Sequence, residues 1–163
     1  MTLTFYDMQQ QVDVWVSKTP DGYRKEEKIF EKIHEEHKEI IVAECEYIKV
    51  RGRSRYKLES EEKLKNLKTE IGDILFAVCC LANINGIHLQ NSFNEAIEVE
   101  IQEVVVDTQL KLSGLKSNRD YGDLLYRICN LANIYGIMLE ECFNLMMEKN
   151  ENRAKNNYKK EEK

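Results

Sequence analysis

One stretch of the sequence occurs in two similar copies, and this repeat constrains the fold more than any other feature. Residues 70–93 read EIGDILFAVCCLANINGIHLQNSF, and residues 120–143 read DYGDLLYRICNLANIYGIMLEECF. A shift of 50 positions superimposes the Gly-Asp pair, the segment LANI and the Gly-Ile pair of the two copies. A repeat of this kind indicates two equivalent structural units. We place the units at about 26–97 and 98–158.

Apolar residues recur at helical spacing in each copy and in the segments around it. The stripe that includes Leu67, Ile71 and Ile74 is typical of a core-facing helix. A glycine, Gly86 or Gly136, follows the helix of each copy and is expected to end it. We therefore predict one all-α domain over residues 1–163, a bundle of about six helices near residues 3–18, 25–49, 61–85, 89–112, 119–135 and 138–156.

Three segments lie outside these predicted helices. The run Thr19-Pro20-Asp21-Gly22 is a strong turn signal. Residues 50–60 read VRGRSRYKLES, a basic connector that we expect to be a solvated loop. The polar tail at about 157–163 is expected to fray.

Composition narrows the classes of protein that the chain can belong to. Hydrophobic residues make up 42% and charged residues 33%, which fits a soluble helical protein. The net charge of −5 argues against nucleic-acid binding. We expect neither a membrane span, since no apolar run approaches about 20 residues, nor a signal peptide. The five cysteines include no CxxC pair, so we expect reduced thiols and a cytoplasmic location.

Acids interrupt the apolar stripes of two predicted helices. Glu36 occupies the core-facing position between Ile33 and Ile40, and Glu39 follows one turn later. Glu70 lies near the stripe of the third helix, with Asp73 three residues further on. A buried carboxylate is costly unless it is paired or binds a cation.

Two such helices packed antiparallel can direct four carboxylates to one point. A hard divalent cation, Mg²⁺ or Mn²⁺, would relieve their mutual repulsion, and Mg²⁺ in proteins often shares its ligands with substrate phosphates. We therefore predict phosphate-ester chemistry, with Glu36, Glu39, Glu70 and Asp73 as metal ligands. Glu35, beside the first of them, is the candidate to orient an attacking water.

The second unit carries its own acids, Glu100 and Glu103 followed by Asp120 and Asp123. These residues predict a second metal site, a degenerate structural copy or a part of a composite site with the first unit. The last two interpretations are favoured, because the second unit lacks a counterpart of Glu35.

The chain resembles the all-α nucleoside triphosphate pyrophosphohydrolases of the MazG type. The resemblance is carried by MQQQVDVWVSKTPDGY, by HEEHKEI with its Glu-Glu-x-x-Glu pattern, and by EIGDILFAVCCLANINGIHL with its Glu-x-x-Asp pattern. The segment MEKNENRAKNNY at 147–158 is similar to the end of the family, which carries a Lys and an Arg that meet phosphate. The chain departs from the pattern at His37-Lys38, where a small residue before the last acid is common.

The resemblance implies hydrolysis between the α- and β-phosphates of a nucleoside triphosphate, for housecleaning of aberrant nucleotides or control of nucleotide pools. It implies phosphate contacts by Lys149 and Arg153, and it suggests Asn83 and Trp15 as contacts for the base. The alternative is a non-catalytic helical module that binds a nucleotide or a protein partner. A tandem chain of this kind could mimic a dimer internally, and whether it also forms a homo-oligomer stays open.

Overall fold

The computed structural model describes residues 3–102 and 115–161, and it describes side chains for residues 3–98 and 115–156. These residues form α-helices and one short 3₁₀ turn, Ser54–Tyr56, without any strand. The six helices confirm the predicted all-α bundle: α1 Phe5–Ser17, α2 Glu26–Val50, α3 Lys57–Asn85, α4 Leu89–Gln102, α5 Asn118–Ile134 and α6 Leu139–Glu161.

Helix α3 forms the centre of the bundle. It packs against α1, α2 and α6 and also contacts α5, while α4 pairs with α5. Because it has neighbours on several sides, every residue from Ile71 to Ala82 is buried or half-buried. This explains why its sequence reads as a nearly continuous apolar run rather than as a narrow stripe.

The two copies of the repeat pair crosswise. A Cβ atom at Gly72 in α3 would collide with the backbone carbonyl of Cys142 in α6, and one at Gly122 in α5 would collide with that of Ser92 in α4. Cys142 and Ser92 are themselves 50 positions apart, and both are fully buried. The glycine of each copy thus packs against the second helix of the other copy. This reciprocity is the pattern of a two-fold symmetric interface, realised here within one chain.

Local signals set the ends of several helices. Gly86 and Gly136 have φ angles of +65° and +63°, a left-handed conformation that glycine adopts readily and that stops the helix. Ile87 N–H then donates to the Ala82 carbonyl at 2.9 Å, and Ile137 N–H donates to that of Ala132 at 2.8 Å. The predicted role of the two glycines is therefore confirmed.

The predicted limits differ from the structure at three places. The basic connector is shorter than expected, because the 3₁₀ turn begins at Ser54 and α3 begins at Lys57. The predicted tail lies largely inside α6, which continues to Glu161. The predicted end of the fourth helix near residue 112 lies outside the described residues.

No single helix within residues 3–102 and 115–161 is both long and apolar enough to cross a membrane. The bent pair Ser54–Asn85 and Leu89–Glu98 meets the criterion jointly, by length and composition alone. All five cysteines are free thiols, and Cys79, Cys80 and Cys142 are buried.

The crosswise packing predicts that Gly72→Ala and Gly122→Ala destabilise the protein to a similar extent. The added methyl group would lie 2.9 Å from the Cβ of Met146 in the first variant and 3.0 Å from that of Ala96 in the second. We expect a loss of about 1–3 kcal/mol in the free energy of unfolding for each, which is typical of overpacking. Urea denaturation measures it.

Asn66→Ala, at an exposed position of the same helix as Gly72, is the control and should leave stability unchanged or slightly raised. Wild-type stability in either glycine variant would contradict the close approach of the helices.

Candidate functional site

A cleft of about 820 Å³ lies among the end of α1, helices α2 and α3, and helix α6. The turn after α1, residues 19–24, forms one of its walls. The lining combines acidic, basic and aromatic side chains. They are Asp21, Glu36, Glu39, Glu70 and Asp73; Arg24, Lys28, Lys32, Lys149 and Arg153; and Trp15, Tyr23 and Phe76.

Three of the predicted metal ligands form one cluster. Glu36 of α2 and Glu70 and Asp73 of α3 each offer a carboxylate oxygen, and these oxygens lie within 4.8 Å of one another. Glu39, one turn after Glu36, is close enough to influence the pKa of both Glu36 and Glu70. The close packing of α2 along α3 therefore brings Glu36, Glu70 and Asp73 together, with Glu39 near them.

Glu36 is the most deeply buried member of the cluster, with only 2% of its surface exposed. Its Oε1 accepts a hydrogen bond from Lys32 Nζ at 2.6 Å, while its buried Oε2 has no hydrogen-bond partner among the described residues. Burial, together with the neighbouring Glu39 and Asp73, raises the pKa of Glu36 to about 7, although Lys32 acts in the opposite direction. Glu36 is thus a carboxylate that is removed from water and whose desolvation is only partly compensated by Lys32.

The other two acids show the same competition between negative charges and a lysine. Burial and the charges of Glu39 and Asp73 raise the pKa of Glu70. Asp73 Oδ2 accepts a short hydrogen bond from Lys149 Nζ, which reaches it from α6. Lysines from two different walls therefore each hold one carboxylate of the cluster.

This arrangement fits a hard divalent cation. The donor set consists of carboxylates alone, and Mg²⁺ and Mn²⁺ prefer such oxygen ligands over softer ones. The unpaired Oε2 of Glu36 supplies an oxygen that a cation would satisfy. Binding by Glu36, Glu39, Glu70 and Asp73 stays a prediction, and so does the identity of the metal.

The remaining first-unit residues fall both inside and outside the cleft. Lys149 and Arg153 of α6 line it, as does Trp15, whose ring meets that of Phe76 edge to face at 5.5 Å. Glu35 does not line it and is 58% exposed, although its Oε2 lies 3.1 Å from Nζ of Lys32. Asn83 also lies outside the lining, so its predicted contact with a base has no support in its position.

The described acids of the second unit do not form a metal cluster. Asp120 lies in the first turn of α5, where its Oδ2 accepts hydrogen bonds from the backbone N–H and the hydroxyl of Ser117, both at 2.8 Å. Although burial acts in the opposite direction, these bonds lower the pKa of Asp120. Asp123 is exposed. Asp120 is thus a helix-capping residue, whereas its repeat equivalent, Glu70, lies near the middle of α3. The side chain of Glu100 and all of Glu103 lie outside the described residues.

Sequence reasoning overlooked several side chains of the cleft. Lys32 precedes Glu36 by four residues, so helical spacing alone could have identified it as the partner of that acid. Phe76 follows Asp73 by one turn on α3. Arg24 carries no periodic signal, because it belongs to the turn that leads into α2.

A comparison with known protein families identifies the family of this chain. The family model described as the MazG nucleotide pyrophosphohydrolase domain matches residues 24–112. The chain belongs to this MazG family. The match spans the whole first unit with both of its acid pairs, continues into the start of the second unit and ends before Asp120. No curated protein and no solved structure matches the chain.

The buried acid cluster predicts that Mg²⁺ or Mn²⁺ stabilises the protein and that Glu36→Gln abolishes this effect. A ligand at ten times its Kd stabilises a protein by about 1.4 kcal/mol, which corresponds to a rise in Tm of about 3–5 °C at this size. Differential scanning calorimetry with and without each metal measures the shift. Without metal, Glu36→Gln should be at least as stable as the wild type, because it removes a buried charge.

Asp123→Asn is the matched control, since Asp123 is the repeat equivalent of Asp73 but is exposed. It should keep the full shift. A metal-induced shift that survives in Glu36→Gln would rule out the cluster as the binding site.

Proposed function

We propose that the protein hydrolyses nucleoside or deoxynucleoside triphosphates to the monophosphate and pyrophosphate, with Mg²⁺ as its cofactor. Membership of the MazG family supports a nucleotide substrate. The observation that carries the proposal is the acid cluster itself: three carboxylates within 4.8 Å, one of them with a buried and unpaired oxygen, in a cleft also lined by cations.

The cleft has the charge distribution that a metal–triphosphate complex requires. In the proposal, Glu36, Glu39, Glu70 and Asp73 hold the cation. Once bound, Mg²⁺ would act as a Lewis acid on the phosphate oxygens and orient them for displacement. Three cations that line the cleft, Lys32, Lys149 and Arg153, would neutralise the remaining phosphate charge.

The attacking water needs a base near the cluster. We assign this task to Glu35, as the sequence predicted. Lys32 supports the assignment, because the same ammonium group bonds Oε1 of Glu36 and Oε2 of Glu35 and so keeps the two carboxylates close. A carboxylate that is largely exposed can accept the proton of the water and return it to solvent.

Trp15 and Phe76 are two of the aromatic residues that line the cleft, and we propose that they contact the base. Stacking on such rings tolerates different bases.

The free state of all five thiols supports the proposed cytoplasmic location.

The proposal predicts release of pyrophosphate, rather than orthophosphate, from at least one member of a panel of NTPs and dNTPs with Mg²⁺. Glu36→Gln and Asp73→Asn should each lower kcat/KM by about a thousandfold or more, which corresponds to about 4 kcal/mol of transition-state stabilisation. Anion-exchange chromatography of the products separates cleavage between the α- and β-phosphates from loss of the terminal phosphate.

Asp123→Asn should retain activity within about twofold, which is within the scatter of an exposed substitution. Binding of a non-hydrolysable triphosphate without turnover of any substrate would instead indicate a nucleotide-binding module. A folded protein that neither binds nor hydrolyses nucleotides would defeat both interpretations.

A further inference from the structure

Asn83 lies in a hydrogen-bond network that the proposed reaction does not use directly. Its Nδ2 donates to the Tyr23 hydroxyl at 2.8 Å and to the Gln9 carbonyl at 3.2 Å. Its Oδ1 accepts from Gln9 Nε2 at 2.9 Å. Both donor hydrogens of the amide are thus used within the protein, which leaves none for a base.

The network continues on both sides of Asn83. Gln9 is buried, donates to the Ile87 carbonyl at 2.7 Å and accepts from Leu89 N–H at 2.9 Å. On the other side, the Tyr23 hydroxyl donates to Oδ1 of Asp13 at 2.7 Å. The network therefore links α1, the junction of α3 and α4, and the turn at residues 19–24, to which Tyr23 belongs.

This turn is the wall of the cleft at residues 19–24. Its other hydrogen bonds are local: the Thr19 hydroxyl donates to the Val16 carbonyl at 2.7 Å, and Gly22 N–H donates to the Thr19 carbonyl at 3.2 Å. Among the described residues, the hydrogen bond from Asn83 to the Tyr23 hydroxyl is the one that joins the turn to α3. Burial and the hydrogen bond to Asp13 raise the pKa of the Tyr23 phenol, so its hydroxyl remains a donor at neutral pH.

The second copy of the repeat shows that the fold alone does not require this asparagine. Asn133 occupies the equivalent position in the second LANI segment and is exposed. In the first copy, the asparagine of this motif lies behind the cleft and is hydrogen-bonded within the network. In the second copy, the equivalent asparagine is exposed.

We infer that Asn83 and Tyr23 are positioning residues, which fix the turn at 19–24 so that the cleft is preformed for the nucleotide. This inference rests on the proposed function, and it names the residues that set the affinity for the nucleotide. A preformed wall spares the ordering of a loop on binding, so its loss should weaken binding more than it slows the chemical step.

Tyr23→Phe tests the inference, because it keeps the ring and removes both hydrogen bonds of the hydroxyl. We expect KM to rise about tenfold, as for loss of a preorganised binding surface, while kcat stays within about twofold and the metal-induced rise in Tm is retained. Trp15 is the single tryptophan of the chain and lines the cleft. Its fluorescence should report the same loss of affinity for a non-hydrolysable triphosphate. Asn83→Ala should reproduce these effects and serves if Tyr23→Phe does not fold.

Two matched controls remove comparable groups elsewhere. Tyr135→Phe deletes a hydroxyl that bonds Oε1 of Glu44 at 2.6 Å, outside the cleft lining, and Asn133→Ala changes the equivalent asparagine. Both should bind and turn over like the wild type. Unchanged affinity in Tyr23→Phe and Asn83→Ala, or an equal loss in the controls, would overturn the inference.

Hydrogen exchange of the backbone amides at 18–24 separates this result from failure of the proposed function. Exchange should be about tenfold faster in Tyr23→Phe and Asn83→Ala than in the wild type, as for a locally released segment. Wild-type exchange rates in both variants would contradict the positioning role whatever the substrate. A wild-type protein that binds no nucleotide would instead defeat the proposed function, even if the turn is loosened as expected.

Discussion

The close approach of α3 and α6 at Gly72 is the contact on which both the fold and the site depend. The missing side chain lets the backbone of Cys142 come against α3. The next residue along α3 is Asp73, and two turns further along α6 is Lys149, which bonds it. One packing constraint therefore brings a cation of the second unit to the acids of the first. A larger residue at position 72 would disturb stability and charge balance together.

Burial of Glu36 is the electrostatic counterpart of this packing. A carboxylate with 2% exposure and one unpaired oxygen weakens the folded state unless something compensates it. An aliphatic residue at this position would continue the stripe formed by Ile33 and Ile40 and would serve stability better. Local rules of folding are broken most often where function requires it. The acid between these isoleucines is thus the clearest mark of function in the chain.

Much of the fold and part of the candidate site could be predicted from sequence, because the relevant signals are local. The six helices follow from apolar spacing, and the glycines after α3 and α5 end them as expected. The inward position of Glu36 follows from its place in the stripe. The capping role of Asp120 was not predicted, although Ser117 three residues before it is a capping-box signal.

Other features could not be predicted, because they depend on contacts between distant segments. The pairing of α3 with α6 and of α4 with α5 requires the tertiary arrangement. The same holds for the bonds of Asn83, whose sequence context is shared with the exposed Asn133. Both asparagines belong to copies of the same LANI segment but lie in different environments, and their tertiary contacts determine the role of each.

The reciprocal glycine contacts carry a consequence for how such a protein can evolve. In a dimer of identical subunits, every substitution occurs twice, so an acid that binds metal on one side must be kept on the other. Fusing the two units into one polypeptide removes that obligation. Asp120 was then free to diverge from Glu70, and the second unit could contribute other side chains to the cleft, Lys149 and Arg153. Covalent linkage thereby turns a symmetric assembly into an asymmetric one with a division of labour.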